Sequence, residues 1–175
     1  MRPGDHPDFF RTPPPEGRSR ESTLRLDASG RFWHDGMPVE HPGLAAALHR
    51  WITRHPDDGR YILNNGYDWT YFAVDDAPYT VGAVRVEPAQ IVLVLSDGSN
   101  EALRPETLRV GSNDALYTQV KSGAPGGPFD ARFSRHAQSA LAPALVETEE
   151  GPGLAIGGVV HPLPHPNSHC GLGIE

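Results

Sequence analysis

The chain has 175 residues, 38% of them hydrophobic, and a formal net charge of −7. This length fits one compact domain or two small ones. The negative charge argues against a general nucleic-acid or anionic-membrane binder, because both need a basic surface. Cys170 is the only cysteine, so no intramolecular disulfide is possible. No apolar run approaches the roughly 20 residues of a membrane helix, and the first residues lack the apolar core of a signal peptide. The simplest interpretation is a bacterial cytoplasmic protein.

The two ends of the chain differ in composition from the middle. Residues 1–21 are polar and rich in proline, which predicts a disordered or loosely packed arm. Phe9 and Phe10 are the exception, as candidates to dock on the body. Residues 161–175 form a His- and Pro-rich tail.

The N-terminal part of the middle predicts a hairpin and a helix. Polar and apolar residues alternate over residues 23–34 around Asp27-Ala28-Ser29-Gly30, which predicts a β-hairpin. A helix is predicted from about Pro42 to Arg54, since proline suits the first helical position. The apolar face of this helix carries Leu44, Leu48, Trp51 and Ile52.

A turn at Asp75-Asp76-Ala77-Pro78 separates two predicted strands, residues 68–74 and 79–86. Asp side chains bond nearby backbone amides, and Pro78 pushes Ala77 into an extended conformation. The turn therefore sets one strand against the next and places two carboxylates at the corner.

Further strands and a second helix follow. Residues 90–96 form the most apolar predicted strand, and residues 103–110 are predicted to pair with it. Ser134 is predicted to cap a helix that runs to about Val146, which Pro143 ends or kinks. The order of elements predicts an α+β fold with two small antiparallel-sheet-plus-helix halves, residues 22–87 and 88–160. Clustered antiparallel strands argue against a doubly wound sheet.

Three stretches resemble the bacterial domain-of-unknown-function family 1285. They are Gly30-Arg31-Phe32-Trp33-His34-Asp35-Gly36-Met37-Pro38-Val39, Val74-Asp75-Asp76-Ala77-Pro78-Tyr79 and Asp130-Ala131-Arg132-Phe133-Ser134-Arg135. The central stretch is the most specific, and the resemblance spans about residues 24–158. It implies a duplicated α+β fold whose second half is loosely like a pleckstrin-homology domain. It also implies a site for a nucleotide-type ligand between the halves and a role in signalling. No catalytic residues follow from it.

The best candidate chemistry is an anion site, as expected of a non-enzymatic ligand-binding module. Arg132 and Arg135 are three residues apart at the start of a predicted helix. Guanidinium groups there match the geometry of a phosphate or carboxylate group, and a helix N-terminus favours anions. The alternative is that both arginines form surface ion pairs, with Asp130 as a partner. Asp76 is favoured over Asp75 as a site residue, although both also suit simple turn bonding. The candidate ligand-binding residues are Asp76, Tyr79, Arg132, Arg135, Trp33, Tyr117 and Lys121. No cofactor is predicted, because the glycine-rich residues 122–128 lack the Lys and Ser/Thr of a phosphate-binding loop.

Two other classes of function stay open. A metal-dependent hydrolase would use Asp75 or Asp76 together with His34. In the tail, the candidate metal ligands are His161, His165 and His169. The alternative for the tail is a polar segment that binds no metal. A protein-interaction domain would use an exposed sheet edge or Phe9-Phe10 to bind a protein partner or to form a homo-oligomer.

Overall fold

A computed structural model of the chain describes residues 1–164. The strands are β1 (Arg25–Leu26), β2 (Phe32–His34), β3 (Met37–Pro38), β4 (Ile52–Arg54), β5 (Tyr61–Asn64), β6 (Trp69–Tyr71), β7 (Ala73–Val74), β8 (Tyr79–Val86), β9 (Ile91–Leu95), β10 (Asn100–Ala102), β11 (Arg109–Val110), β12 (Leu116–Val120), β13 (Phe129–Phe133), β14 (Leu145–Thr148), β15 (Gly151–Ile156) and β16 (Val159–Pro162). The helices are α1 (Pro42–Arg50) and α2 (Arg135–Ala140).

These elements form four sheets and confirm the predicted α+β fold. The strand orders are β3-β2-β1-β7, β4-β5-β6, β10-β9-β8-β13-β12-β11 and β14-β15-β16. Most neighbours are antiparallel, but β1 pairs with β7 and β8 pairs with β13 in parallel. The β8–β13 pair matters most for the position of the candidate residues, because it joins the segment after the central turn to the segment before α2.

The hairpin β1–β2 is confirmed, whereas helix α1 is shorter than predicted. His41 caps α1 by accepting a hydrogen bond from the Leu44 amide at 3.2 Å. The helix ends at Arg50, and the next residues form β4 against β5. Ile52 is buried in β4, and a buried position is also what the helical spacing predicted, so its apolar character could not distinguish the last helical turn from a strand.

The second helix is also shorter than predicted. Ser134 is its N-cap, as expected, and accepts a hydrogen bond from the Ala137 amide at 3.1 Å. Pro143 lies in a 3-10 turn, Ala142–Ala144, and the chain then becomes β14. Proline has no amide donor and clashes with the preceding turn, so the α-helix stops before it.

The predicted pairing of residues 103–110 is wrong. It is β10, ending at Ala102, that pairs with β9. Arg109 and Val110 form β11 instead, which pairs with β12 at the other edge of the six-stranded sheet.

The two predicted halves, residues 22–87 and 88–160, share one sheet and one core. Strand β8, placed in the first half by a division at residue 87, is hydrogen-bonded between β9 and β13 at the centre of the six-stranded sheet. One apolar cluster contains Leu26 and Phe32 from the first half and Leu93 and Phe129 from the second, each at most 2% exposed.

The structure places residues 1–12 on the β4–β6 sheet rather than in a loosely packed arm. Phe9 is 7% exposed and packs with Ile62 and Trp69. The amide of Gly4 donates to the carbonyl of Gly66 at 2.9 Å. Within the described chain, residues 1–164, no helix is long and apolar enough to cross a membrane.

Candidate functional site

The central turn brings Asp76 to two candidate residues from distant parts of the sequence. Asp76 Oδ2 accepts hydrogen bonds from Tyr117 Oη at 2.8 Å and from Arg132 Nη1 at 3.0 Å. Strand pairing explains this, since Arg132 lies opposite Thr80 on β8 and opposite Tyr117 on β12. Successive side chains of a strand point to opposite faces, and residues directly opposite each other share a face. Thr80, Tyr117 and Arg132 therefore lie on one face of the sheet.

A second arginine extends this polar network along the same face. Arg109 lies opposite Tyr117, and its guanidinium carbon is 4.5 Å from the centre of the Tyr117 ring. Arg109 Nη2 also lies 3.2 Å from Asp130 Oδ2. Burial, together with the hydrogen bond to Asp76 and the charge of Asp76, raises the pKa of Tyr117, so its hydroxyl remains a donor at neutral pH.

Two neighbouring surface grooves share three lining residues, Arg132, Phe133 and Arg135. The hydroxyl groove has a volume of about 380 Å³ and is otherwise lined by Ala28, Ser29, Thr80 and Ser134. The amide groove has a volume of about 600 Å³ and is otherwise lined by Asn113, Asp114, Ala115, Gln138 and Ser139. The hydroxyl groove runs between the β1–β2 turn of the first half and the β13–α2 junction of the second.

The hydroxyl groove is lined by two guanidinium groups and by no carboxylate. Arg132 is 30% exposed and paired with Asp76. Arg135 is exposed and makes no ion pair with any carboxylate of residues 1–164. Two hydroxyls are already committed, because Ser29 donates to Asp27 at 2.7 Å and Ser134 donates to the Gly82 carbonyl at 3.2 Å. The guanidinium groups are therefore the main donors left for a ligand.

Asp27 fixes the turn that forms one wall of the hydroxyl groove. Its carboxylate accepts from the amides of Ser29 and Arg31, each at 2.9 Å, and from Trp33 Nε1 at 2.8 Å. Burial of the carboxyl raises its pKa, but these bonds outweigh burial and lower the pKa of Asp27 to about 2. Gly30 completes the turn with a φ of +84°, and a Cβ there would lie 2.6 Å from Thr80 Oγ1.

The structure separates the remaining candidates from the grooves. Tyr79 is 5% exposed and points into the core, because it alternates with Thr80 along β8. Burial, and next the charges of Asp97 and Glu101, raise the pKa of Tyr79. Lys121 follows the end of β12 with a φ of +56°, which turns it away from the strand.

Lys121 belongs to a separate cluster at the other side of the sheet. Its Nζ lies 2.6 Å from Asp97 Oδ2, 2.6 Å from Ser99 Oγ and 5.7 Å from the Tyr79 ring centre. Trp33 is also occupied, since its indole donates to Asp27 and Arg25 stacks against its ring. Of the seven candidates, Arg132 and Arg135 line the grooves, and Asp76 and Tyr117 support Arg132.

Sequence reasoning missed Thr80, Ser29 and Arg109. The Asp-x-Ser spacing within the predicted turn was a usable signal for Ser29. No local signal identifies Thr80 or Arg109, because both reach this face only through pairing between distant strands.

The residues of the hydrolase alternative lie apart in the structure. Asp75 pairs with Arg25, and His34 Nε2 lies 3.6 Å from Asp35 Oδ2. Among residues 1–164, no group of three His, Cys, Asp or Glu side chains is arranged to hold a metal ion. His161 lies on β16 and is partly exposed. The other tail candidates, His165 and His169, lie outside the described residues, as does Cys170.

The fold resembles that of two solved proteins. A DUF1285 family protein from Silicibacter pomeroyi DSS-3 is 20% identical, with a TM-score of 0.66 over 90% of this chain and 86% of that chain. A DUF1285 family protein from Shewanella baltica OS155 is 15% identical, with a TM-score of 0.51 over 67% of this chain and 87% of that chain. No protein-family model and no curated protein matches the sequence. The chain thus has the fold seen in DUF1285 family proteins, and the resemblance predicted from three sequence stretches is confirmed at the level of the fold.

Proposed function

We propose that the protein is a non-enzymatic cytoplasmic module that binds a small phosphorylated, nucleotide-type anion in the hydroxyl groove and acts in signalling. One observation carries the proposal: the groove between the two halves is lined by two guanidinium groups and no carboxylate. The unprotonated oxygens of a phosphate group accept hydrogen bonds, and arginine supplies donors in a planar fork that matches them.

The setting of Arg132 supports binding of an oxyanion. Arg132 donates one nitrogen, Nη1, to Asp76 Oδ2, and the Tyr117 hydroxyl donates to the same oxygen and so helps to hold the carboxylate in place. The guanidinium is therefore oriented before a ligand arrives, which reduces the ordering cost of binding. Arg132 makes no other hydrogen bond within residues 1–164, so its Nε and Nη2 donors are open to a ligand.

The amide groove supplies space for the rest of a ligand. Its volume of about 600 Å³ lies in the range of ordinary small-molecule sites. Gln138 is fixed there, because Nε2 donates to the Asp114 carbonyl at 2.9 Å and Oε1 accepts from the Leu116 amide at 3.2 Å. Asn113 and Ser139 are exposed along the same groove and present uncommitted polar groups.

The groups around the hydroxyl groove favour binding over chemistry. A serine nucleophile needs an adjacent base to remove its proton. Ser134 donates instead to a backbone carbonyl, and Ser29 donates to an Asp27 carboxylate whose pKa of about 2 makes it a weak base.

The proposal is tested by calorimetric titration and thermal shift with inorganic phosphate, pyrophosphate and nucleoside mono- and diphosphates. A ligand that binds only the folded state raises the melting temperature by mass action. We expect Arg135→Ala to weaken binding by about tenfold or more, since a hydrogen bond to a charged group is worth about 1.5–3 kcal/mol.

Arg50→Ala is the matched control. Arg50 is exposed at the end of α1, and its removal changes the net charge equally without touching the groove. Equal affinity of Arg135→Ala and Arg50→Ala would show that the bound anion lies elsewhere, and a wild-type protein that binds none of these anions would contradict the proposal.

A further inference from the structure

The amide groove is lined by two charges of opposite sign that have no ionic partner in the part of the chain that the structure describes. Asp114 lies in the turn between β11 and β12, and Arg135 is the first residue of α2. Both are exposed, and neither forms an ion pair within residues 1–164. The groove therefore suits a ligand that has an anionic group at one end and hydrogen-bond donors at the other.

The fold holds the backbone of Asp114 and leaves its carboxylate free. The Asp114 amide donates to the Gly111 carbonyl at 3.2 Å, and its carbonyl accepts from Gln138 Nε2 on α2 at 2.9 Å. Its φ of +56° is left-handed, a conformation that Asn and Asp adopt more readily than most residues. The carboxylate accepts no hydrogen bond from residues 1–164, so both of its oxygens face solvent or a ligand.

We propose that the ligand of the two grooves is a guanine nucleotide, with its phosphate on Arg132 and Arg135 and the edge of its base on Asp114. This inference rests on the proposed function, because it takes the anion site as given. A carboxylate only accepts hydrogen bonds, and it can receive two in parallel. Guanine presents two adjacent donors, N1–H and the 2-amino group, whereas adenine presents an acceptor, N1, beside its 6-amino group.

The neighbour of Asp114 also favours guanine. The side chain of Asn113 is exposed in the same groove and makes no hydrogen bond within residues 1–164. Its amide can donate to guanine O6, the acceptor that lies beside N1–H. Cytosine offers the carboxylate one amino group, and uracil offers one N–H between two carbonyls that a carboxylate repels. Guanine is the common base whose edge satisfies both side chains.

The test is calorimetric titration with the monophosphates of guanosine, adenosine, inosine and xanthosine. Inosine monophosphate lacks only the 2-amino group, and xanthosine monophosphate has a carbonyl in its place. We expect the wild-type protein to bind guanosine monophosphate about tenfold or more tightly than adenosine monophosphate, because hydrogen bonds to a charged acceptor are lost with adenine. Inosine monophosphate should bind with intermediate affinity, since it keeps N1–H.

Asp114→Asn reverses one hydrogen bond without changing the shape of the side chain. The amide can accept from N1–H and donate to the 2-carbonyl of xanthine. The variant should therefore bind guanosine monophosphate about tenfold more weakly than wild type and xanthosine monophosphate about tenfold more tightly. Asn suits the φ of +56°, so the turn is kept.

Asp35→Asn is the matched control. Asp35 is also an exposed aspartate in a turn, with a φ of +50°, and it lines neither groove. The same change of charge at this position should leave the order of nucleotide affinities as it is in the wild-type protein.

Adenosine monophosphate that binds the wild-type protein as tightly as guanosine monophosphate would overturn the proposal. A preference between guanosine and xanthosine monophosphates that is unchanged in Asp114→Asn would overturn it too. Pyrophosphate, which has no base, separates this failure from failure of the proposed function. If pyrophosphate binds and Arg135→Ala weakens its binding, the anion site stands and only the guanine assignment falls. If neither pyrophosphate nor any nucleotide binds, both fall.

Discussion

At the scale of single residues, Asp27 organises the wall of the candidate site. One carboxylate orders the turn through two backbone amides, a hydroxyl and an indole. A short side chain that bonds amides two and four residues ahead fixes the path of the chain more tightly than apolar packing can at an exposed turn.

We predict that Asp27→Ala lowers the free energy of unfolding by ~1–2 kcal/mol near neutral pH, because several hydrogen bonds are lost together. The folded pKa of about 2 lies below the unfolded value of about 3.9. The contribution of Asp27 is therefore present above the unfolded pKa and is lost as the pH falls from about 4 towards 2.

Urea unfolding at pH 7 and at pH 3 measures this loss. Glu40→Ala is the control, since Glu40 is exposed and forms no ion pair in the described chain. A gap between wild type and Asp27→Ala that does not narrow at low pH would contradict the assignment.

The residue pairs of the site show where sequence reasoning stops. Asp76 and Arg132 were both identified as candidates from local turn and charge patterns. Their contact depends on the parallel pairing of β8 with β13, which no local pattern contains. The prediction that Tyr79 lines the site was wrong for a simpler reason. Neighbouring side chains of a strand point to opposite faces, so Tyr79 faces the core whereas Thr80 faces the groove.

At the scale of elements, local signals predicted starts better than ends. Ser134 and Pro42 marked where the helices begin because capping and proline preference act within one turn. The end of α1 depended on β5, since the backbone of Ile52 finds its partners on that strand. The spacing of apolar residues cannot predict where an element ends when a strand distant in sequence sets that end.

We predict that Ser134→Ala destabilises the protein by ~1 kcal/mol, the usual cost of losing an N-cap. Ser134 also binds the Gly82 carbonyl, so the substitution weakens the attachment of α2 to β8 as well. Ser139→Ala lies on the exposed side of the same helix and should be neutral or slightly stabilising, because alanine is the better helix former. Equal effects of the two substitutions in urea unfolding would contradict the capping role.

At the scale of the whole molecule, the shared core predicts one cooperative unit. The apolar cluster joins Leu26 and Phe32 to Leu93 and Phe129 without a break between the halves. Trp33, Trp51 and Trp69 all lie in the first half, so their fluorescence reports most directly on that half.

We predict that Phe129→Ala, a substitution in the second half, lowers the unfolding free energy by ~3–5 kcal/mol. It should shift the tryptophan fluorescence transition and the circular dichroism transition in urea to the same lower midpoint. A fluorescence midpoint that stays at the wild-type value would show instead that the halves unfold separately.

The pairing of β8 between β9 and β13 also governs how the chain can be made. During translation β8 leaves the ribosome well before β13, so the nascent chain carries a central strand with one open edge until residue 133 has emerged. Open edges are templates for association with other chains. A gene fragment that stops at residue 87 lacks both β9 and β13 and leaves both edges of β8 open, so expression of the first half alone should yield inclusion bodies, whereas a fragment that runs to residue 164 closes the sheet.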